Sequence, residues 1–178
     1  MRGFDLSIGE YYGVPEREVI VVRERGISEE ELPVVFFVAR RARVSPDVVM
    51  DLRLRRMSWM DITLHFGLSP QIYYVPVKIG PPHGHAYGYY KKHPKHKWKK
   101  IVLRDEDIVN QVNLKFISEH HRLAPERVMR YRSEGKNFAD IDRDVTHEKR
   151  REHKDKDRRE DKRRDKNEKQ ERKAHRRK

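Results

Sequence analysis

The chain has no cysteine, no apolar run longer than residues 34–39, and aromatic side chains at only 9% of its 178 positions. Without cysteine there is no disulfide framework, no thiolate metal site and no cysteine nucleophile, although that absence fixes no compartment. The six-residue run VVFFVA is far below the ~20 apolar residues a bilayer-spanning helix needs. The opening stretch MRGFDLSIGEYYGVPE contains no apolar core of seven or more residues, so no signal peptide is expected and the chain as written reads as cytoplasmic. Catalytic signatures are missing as well: there is no Gly-rich phosphate loop, no nucleophile motif and no helix-borne histidine pair with a glutamate base. An enzyme is not expected, and neither is a cofactor.

What the chain has in quantity is charge. Asp, Glu, Lys and Arg make up 40% of it and mean hydropathy is -1.05, so not all of it can bury a core. The length allows one ordinary domain or two very small ones, plus a tail. The net charge of +13 is unevenly placed. Residues 1–77 carry 10 Lys/Arg against 11 Asp/Glu, and residues 105–146 carry 7 against 9. Residues 78–104 carry 8 against none, and residues 147–178 carry 17 against 9. All the excess positive charge therefore sits in a central linker and a terminal tail, and any dealings with polyanions are expected there.

The near-neutral parts repeat themselves. VSPDVVMDLRLRRMSWMDI at 44–62 returns as LAPERVMRYRSEGKNFADI at 123–141, with identities at Pro46/Pro125, Val49/Val128, Met50/Met129, Arg53/Arg132, Asp61/Asp140 and Ile62/Ile141. A fainter copy is GVPEREVIVVRERGISEEEL at 13–32. In each, proline followed by an acid opens a short helix, since proline is tolerated at a first helical position and the acid meets the positive end of the helix dipole. Gly26 and Gly135 are placed to close two of these helices in the left-handed conformation; the middle copy has Arg56-Met57 there, a weaker stop. Capping boxes follow at Ser28-x-x-Glu31, Ser58-x-x-Asp61 and Asn137-x-x-Asp140, each predicting a further helix. Pro33 predicts a turn or kink at Leu32-Pro33 and a main helix from there to about Arg43. Ile108, Val109, Val112 and Phe116 at helical spacing predict a helix over DEDIVNQVNLKFISEHHR. The expected unit is helix, turn, helix, turn, helix. Such small units bury little surface alone, so stacking through Trp59, Phe66, Phe116 and Phe138 is expected.

Across roughly residues 10–146 the pattern resembles small bacterial proteins, many of them exported, that carry repeats of the form SP-acid-x-V-x-x-L-R-x-x-G-x-S-W-x-D-I. Ser45-Pro46-Asp47, Ser58-Trp59-Met60-Asp61-Ile62 and Asn137-Phe138-Ala139-Asp140-Ile141 carry the likeness. The resemblance implies no activity. It does imply an alternative location, periplasmic or secreted, if the chain is a mature form without its leader.

Several segments invite a functional reading. SWMDITLHFGLSPQIYY at 58–74 has the outline of a helix-turn-helix, but Pro76 leaves its second helix about five residues and no basic side chain. The turn at 44–46 leads into Asp47, Val48, Val49 and Asp51, a face that repels phosphate. Only the last copy, with Arg127, Arg130 and Arg132, is an electrostatically plausible DNA reader; structural packing is the competing account. The linker PVKIGPPHGHAYGYYKKHPKHKWKK is expected to be an extended loop, given its prolines and glycines. Lys91, Lys92, Lys95, Lys97, Lys99 and Lys100 can neutralise phosphates, while Tyr87, Tyr89, Tyr90 and Trp98 offer faces for unpaired bases or, alternatively, pin the loop to the helices. His83-x-His85 and His93-x-x-His96 are weak metal candidates with no carboxylate or thiolate nearby, and no metal is expected. His120 and His121, adjacent on a helix, are expected to point apart and make no joint site. From His147 the tail has Ala174 as its only apolar residue and is expected to be disordered or, at most, a solvated helix, with Arg158, Arg159, Arg163 and Arg164 among its polyanion-binding candidates.

The resulting expectation is an all-α protein of two or three short helix-turn-helix-like units. An N-terminal arm (1–12) precedes units one and two (13–74), a basic loop (75–104), unit three (105–146) and a charged tail (147–178). Its expected role is non-enzymatic binding of polyanions, nucleic acid first, through loop and tail. The alternatives are an exported structural or protein-interaction module of the bacterial envelope that meets an acidic partner, and metal binding by the histidine loop. Oligomeric state is left open.

Overall fold

The structure, a computed structural model, describes residues 3–77 and 92–175, with side chains in the final helix described to residue 160 apart from 157 and 159. It is all-helical: among the described residues there is no strand. The helices are α1 (Gly3–Tyr12), α2 (Glu16–Glu24), α3 (Leu32–Ala42), α4 (Pro46–Leu54), α5 (Trp59–His65), α6 (Asp105–His121), α7 (Pro125–Ser133) and α8 (Phe138–His175). Short 3-10 turns lie at Glu29–Glu31, Pro70–Tyr73 and Lys95–Lys100. The chain divides into two compact units, Met1–Asp142 and Arg143–Lys178.

Helix bounds and left-handed residues recur with the same spacing. α2, α4 and α7 are each 9 residues long. Each is preceded by a left-handed residue, Gly13 (φ 71), Arg43 (φ 59) or Arg122 (φ 54), and followed by another, Gly26 (φ 104), Arg56 (φ 66) or Gly135 (φ 88). Arg56 thus closes its helix as the two glycines close theirs, at the cost of the Cβ crowding that glycine avoids. Pro46 and Pro125 open α4 and α7 at a first helical position. The first copy differs, with Pro15 one position earlier, outside α2 as its N-cap.

The capping boxes are similarly alike but not identical. Ser58 Oγ accepts from the Asp61 backbone N–H at 3.0 Å, and Asn137 Oδ1 accepts from that of Asp140 at 2.7 Å. Ser28 instead donates to the Glu31 carboxylate at 2.7 Å. There a 3-10 turn runs straight into α3 with Pro33 in its first turn, close to the expected bend.

α3 and α6 form the centre of the first unit, with Leu32, Val34, Val35, Val38, Ile108, Phe116 and Ile117 essentially inaccessible. Burial of each such side chain is worth about 1.5–3 kcal/mol. Residues 3–12, expected to be an arm, form α1 instead, because Phe4 and Ile8 one helical turn apart are buried and Phe4 packs edge-on against Phe116 with ring centroids 5.7 Å apart. Trp59 and Phe138 are both buried at the starts of α5 and α8. Phe66 is not part of this stack: it is only half-buried against His65. Tyr73 is buried beside Phe37, its hydroxyl 2.6 Å from that of Thr63. Burial keeps the Tyr73 phenol protonated well above its usual range, although the Thr63 bond opposes the shift.

In the second unit the described side chains at 147–156, 158 and 160 are all exposed. The helix runs to His175, and its sequence places opposite charges three and four residues apart, the pattern of a solvated helix.

Candidate polyanion interface and the arginine caps

The basic segment is not extended throughout. Pro94 caps the 3-10 turn Lys95–Lys100, and the turn is anchored from one side by Trp98. The indole is buried, its Nε1–H donates to the His93 carbonyl at 2.7 Å, and its ring lies 4.3 Å from that of Tyr74. Ile101 and Leu103 follow it into the core. Lys92, Lys95, Lys97, Lys99 and Lys100 are exposed around this anchor, as is His96, whereas His93 is half-buried. Of the two roles open to it, Trp98 fits the pin, because the buried indole beside Tyr74 offers little face to a base. Lys91, Tyr87, Tyr89, Tyr90, His83 and His85 lie outside the described residues. In the second unit Arg151, Lys154 and Arg158 line one side of the helix with Asp155. Arg159, Arg163 and Arg164 lie in the same helix, with side chains outside the described ones.

The arginine shared by the sequence copies has a different task. Arg53 donates from Nε to Glu31 at 2.8 Å and from a terminal nitrogen to Asp105 at 2.6 Å and to the Met57 carbonyl at 2.9 Å. Its guanidinium also lies 5.0 Å from the Trp59 ring centroid. Asp105 accepts the Trp59 backbone N–H at 2.7 Å, and Glu31 accepts the indole N–H at 2.9 Å. One cation thus ties the end of α4, the start of α5, the 3-10 turn before α3 and the first residue of α6. Burial alone would raise the Glu31 carboxyl, but the bonds from Ser28, Arg53 and Trp59 outweigh it and hold the group below its ordinary value.

Arg132 repeats this arrangement in looser form. It donates to the Lys136 carbonyl at 2.8 Å, stacks on Phe138 at 4.5 Å, lies 3.6 Å from Glu30, and reaches Asn110 at 3.5 Å. Glu30 also accepts the Phe138 backbone N–H at 3.3 Å. Arg23, the counterpart in the first copy, pairs with the buried Asp5. Of the three arginines that made α7 a candidate DNA reader, Arg132 is engaged in this cap and Arg127 bonds the Tyr131 hydroxyl at 3.2 Å, which leaves Arg130 exposed. The turn at 67–69 leads only into the 3-10 turn Pro70–Tyr73, too short to read a groove.

Between the two caps lies an open groove of about 460 Å³ whose wall includes Glu30, Glu31, Asp105 and Glu106 as well as Arg53 and Arg132. With four carboxylates against two guanidiniums it opposes phosphate.

Comparison with protein-family models, with curated proteins and with solved structures gives no match for this chain. No helix among the described residues is long and apolar enough to cross a membrane.

One side-chain group escaped the sequence reading. His120 and His121 were expected to point apart, yet their rings lie 4.7 Å from each other, and together with Asp142 they bring ligand atoms within 4.8 Å. The expectation failed because α6 ends at His121 and the left-handed Arg122 turns the chain, carrying α8 back with Asp142 against the helix end. Only the HH pair was visible in the sequence; the carboxylate is 21 residues away.

Proposed function

We propose that this is a non-enzymatic helical module that binds polyanions, nucleic acid first among them, through the lysines of 91–100 and the basic final helix. The observation that carries the reading is the division of charge. Three arginines of the helical body, Arg23, Arg53 and Arg132, are engaged by Asp5, Glu31, Asp105 and Glu30, whereas the lysines around the buried Trp98 are exposed and residues 78–104 contain no acid. Binding of this kind is electrostatic and weakly specific, and counterion release makes it fall steeply with salt.

Titration of random duplex and single-stranded oligomers at several salt concentrations tests it. Replacing Lys92, Lys95, Lys97, Lys99 and Lys100 by alanine is expected to weaken both and to flatten the salt dependence, each lost phosphate contact taking ~0.9 from the duplex slope. Binding that ignores salt, or that survives both this replacement and removal of 147–178, would exclude the reading and favour an acidic protein or envelope partner.

A further inference from the structure

We propose that His120, His121 and Asp142, with Glu10 beside them, form a binding site for a divalent transition-metal cation, Zn²⁺ being the best fit. The inference is independent of polyanion binding. It starts from Asp142, whose side chain is 1% exposed. A carboxylate that deep requires compensating positive charge as well as hydrogen bonds. Among the described residues its partners are a hydroxyl and an imidazole: Ser7 Oγ donates to Oδ2 at 3.0 Å, and His121 Nε2 lies 2.7 Å from Oδ1. No lysine or arginine pairs with it among the described residues, which leaves the place of its counter-charge open to a cation.

The second imidazole is what turns a buried pair into a candidate site. His120 sits next to His121, and its Nε2 lies 3.7 Å from the Glu10 carboxylate. Two imidazoles and two carboxylates from α1, α6 and α8 make a donor set that suits Zn²⁺, with Co²⁺ and Ni²⁺ as close substitutes. Donor atoms around a tetrahedral zinc stand roughly 3.4 Å apart, given ligand distances of about 2.0–2.1 Å. From 2.7 Å, His121 and Asp142 would have to separate by about 0.7 Å, and a gap as wide as 4.8 Å would have to close by about 1.4 Å. Phe116, packed 5.7 Å from the His120 ring, supports the imidazole from behind. Ser7 is the positioning residue: by holding Oδ2 it leaves Oδ1 facing the histidines, as outer-shell partners of metal-bound carboxylates do. The histidines of the basic segment have no such carboxylates in their part of the sequence, and the lysines there repel cations.

Co²⁺ titration of the full chain, followed by visible absorption, with Zn²⁺ displacement and calorimetry, tests the proposal. The expected result is one equivalent of Co²⁺ bound with the intense absorption of a four-coordinate site, displaced by Zn²⁺. His120→Ala, at a partly exposed position outside the apolar core, should weaken binding at least tenfold while retaining the parent's helical circular dichroism. Ser7→Ala should weaken it several-fold, and the quadruple variant His83→Ala, His85→Ala, His93→Ala, His96→Ala should bind as the parent does. Zn²⁺ should also raise the melting temperature of the parent and not of His120→Ala, since only a ligand of the folded state stabilises it. The proposal is overturned by the absence of saturable Co²⁺ or Zn²⁺ binding to the parent, by parent-like binding in a folded His120→Ala protein, or by loss of binding in the quadruple variant.

Discussion

Arg53 and Arg132 occupy matching places in two copies of one sequence pattern, yet their surroundings differ in a way that separates a specified cap from a permissive one. Both donate to a carbonyl four residues on and stack on the aromatic that starts the next helix. Arg53 adds two carboxylates at hydrogen-bond distance, and its side chain is 21% exposed. Arg132 has one carboxylate at 3.6 Å and is 35% exposed. The shared part is local and follows the shared sequence pattern; the strengthening part comes from elsewhere in the chain. The largest consequence should appear on Arg53→Ala, which leaves Glu31 and Asp105 facing each other without their cation. Breaking a fully buried pair costs about 3–5 kcal/mol, and the partial exposure here reduces the expectation to roughly 2–3 kcal/mol. Urea unfolding of the full chain measures it, and a loss no larger than that of the matching change at Arg132 would erase the distinction.

Glu31 gives the comparison a pH axis. Its folded-state value lies below the usual 4.5, so its contribution is complete above that value and is lost as pH falls through the lowered one. Glu31→Gln should therefore destabilise at neutral pH by less than Arg53→Ala, because the amide oxygen can still accept from Trp59. The gap between variant and parent should narrow as the solution is acidified below pH ~4.5. Thermal melts at neutral pH and at pH ~3 provide the readout; a gap that widens in acid would mean the carboxylate is not stabilised as described. Arg132→Ala comes next in size, about 1 kcal/mol, the scale of a half-exposed pair with its stacking partner.

These contrasts explain how far the sequence could be read. Proline at helix starts, glycine at Gly26 and Gly135, and capping boxes act within four or five residues, so the helix bounds around them were visible without coordinates. Arg53 and Arg132 were visible as repeated letters, but their partners Glu31, Asp105 and Glu30 lie 22, 52 and about a hundred residues away. An arginine on a short helix could equally have faced phosphate. Trp98 was undecided for the same reason, because both base stacking and anchoring use an aromatic among lysines, and only the Tyr74 ring and the His93 carbonyl distinguish them. The His120–His121–Asp142 group was not legible in the sequence because its carboxylate stands on α8, 21 residues beyond His121.

The smallest effect concerns the residue that ends the helix in each copy. Gly26, Arg56 and Gly135 all have positive φ, and only the middle one carries a Cβ. Holding a non-glycine residue left-handed costs roughly 1–2 kcal/mol, while glycine costs about 0.5–1 kcal/mol through the freedom it loses on folding. Arg56→Gly should therefore stabilise the protein by roughly 0.5 kcal/mol, and Gly135→Ala, in the reverse sense, should destabilise it by a similar amount. No heavy atom lies within 4 Å of a Cβ built at Gly135, so its response reports backbone conformation without a clash. At this chain length 1 kcal/mol moves the melting temperature by about 2–4 °C, so paired melts of the two variants can resolve the opposite signs. If both variants melted below the parent, Arg56 would have to contribute through its side chain as well as its backbone. The middle cap would then differ from its neighbours in kind, as the Arg53 cap differs from that of Arg132 in strength.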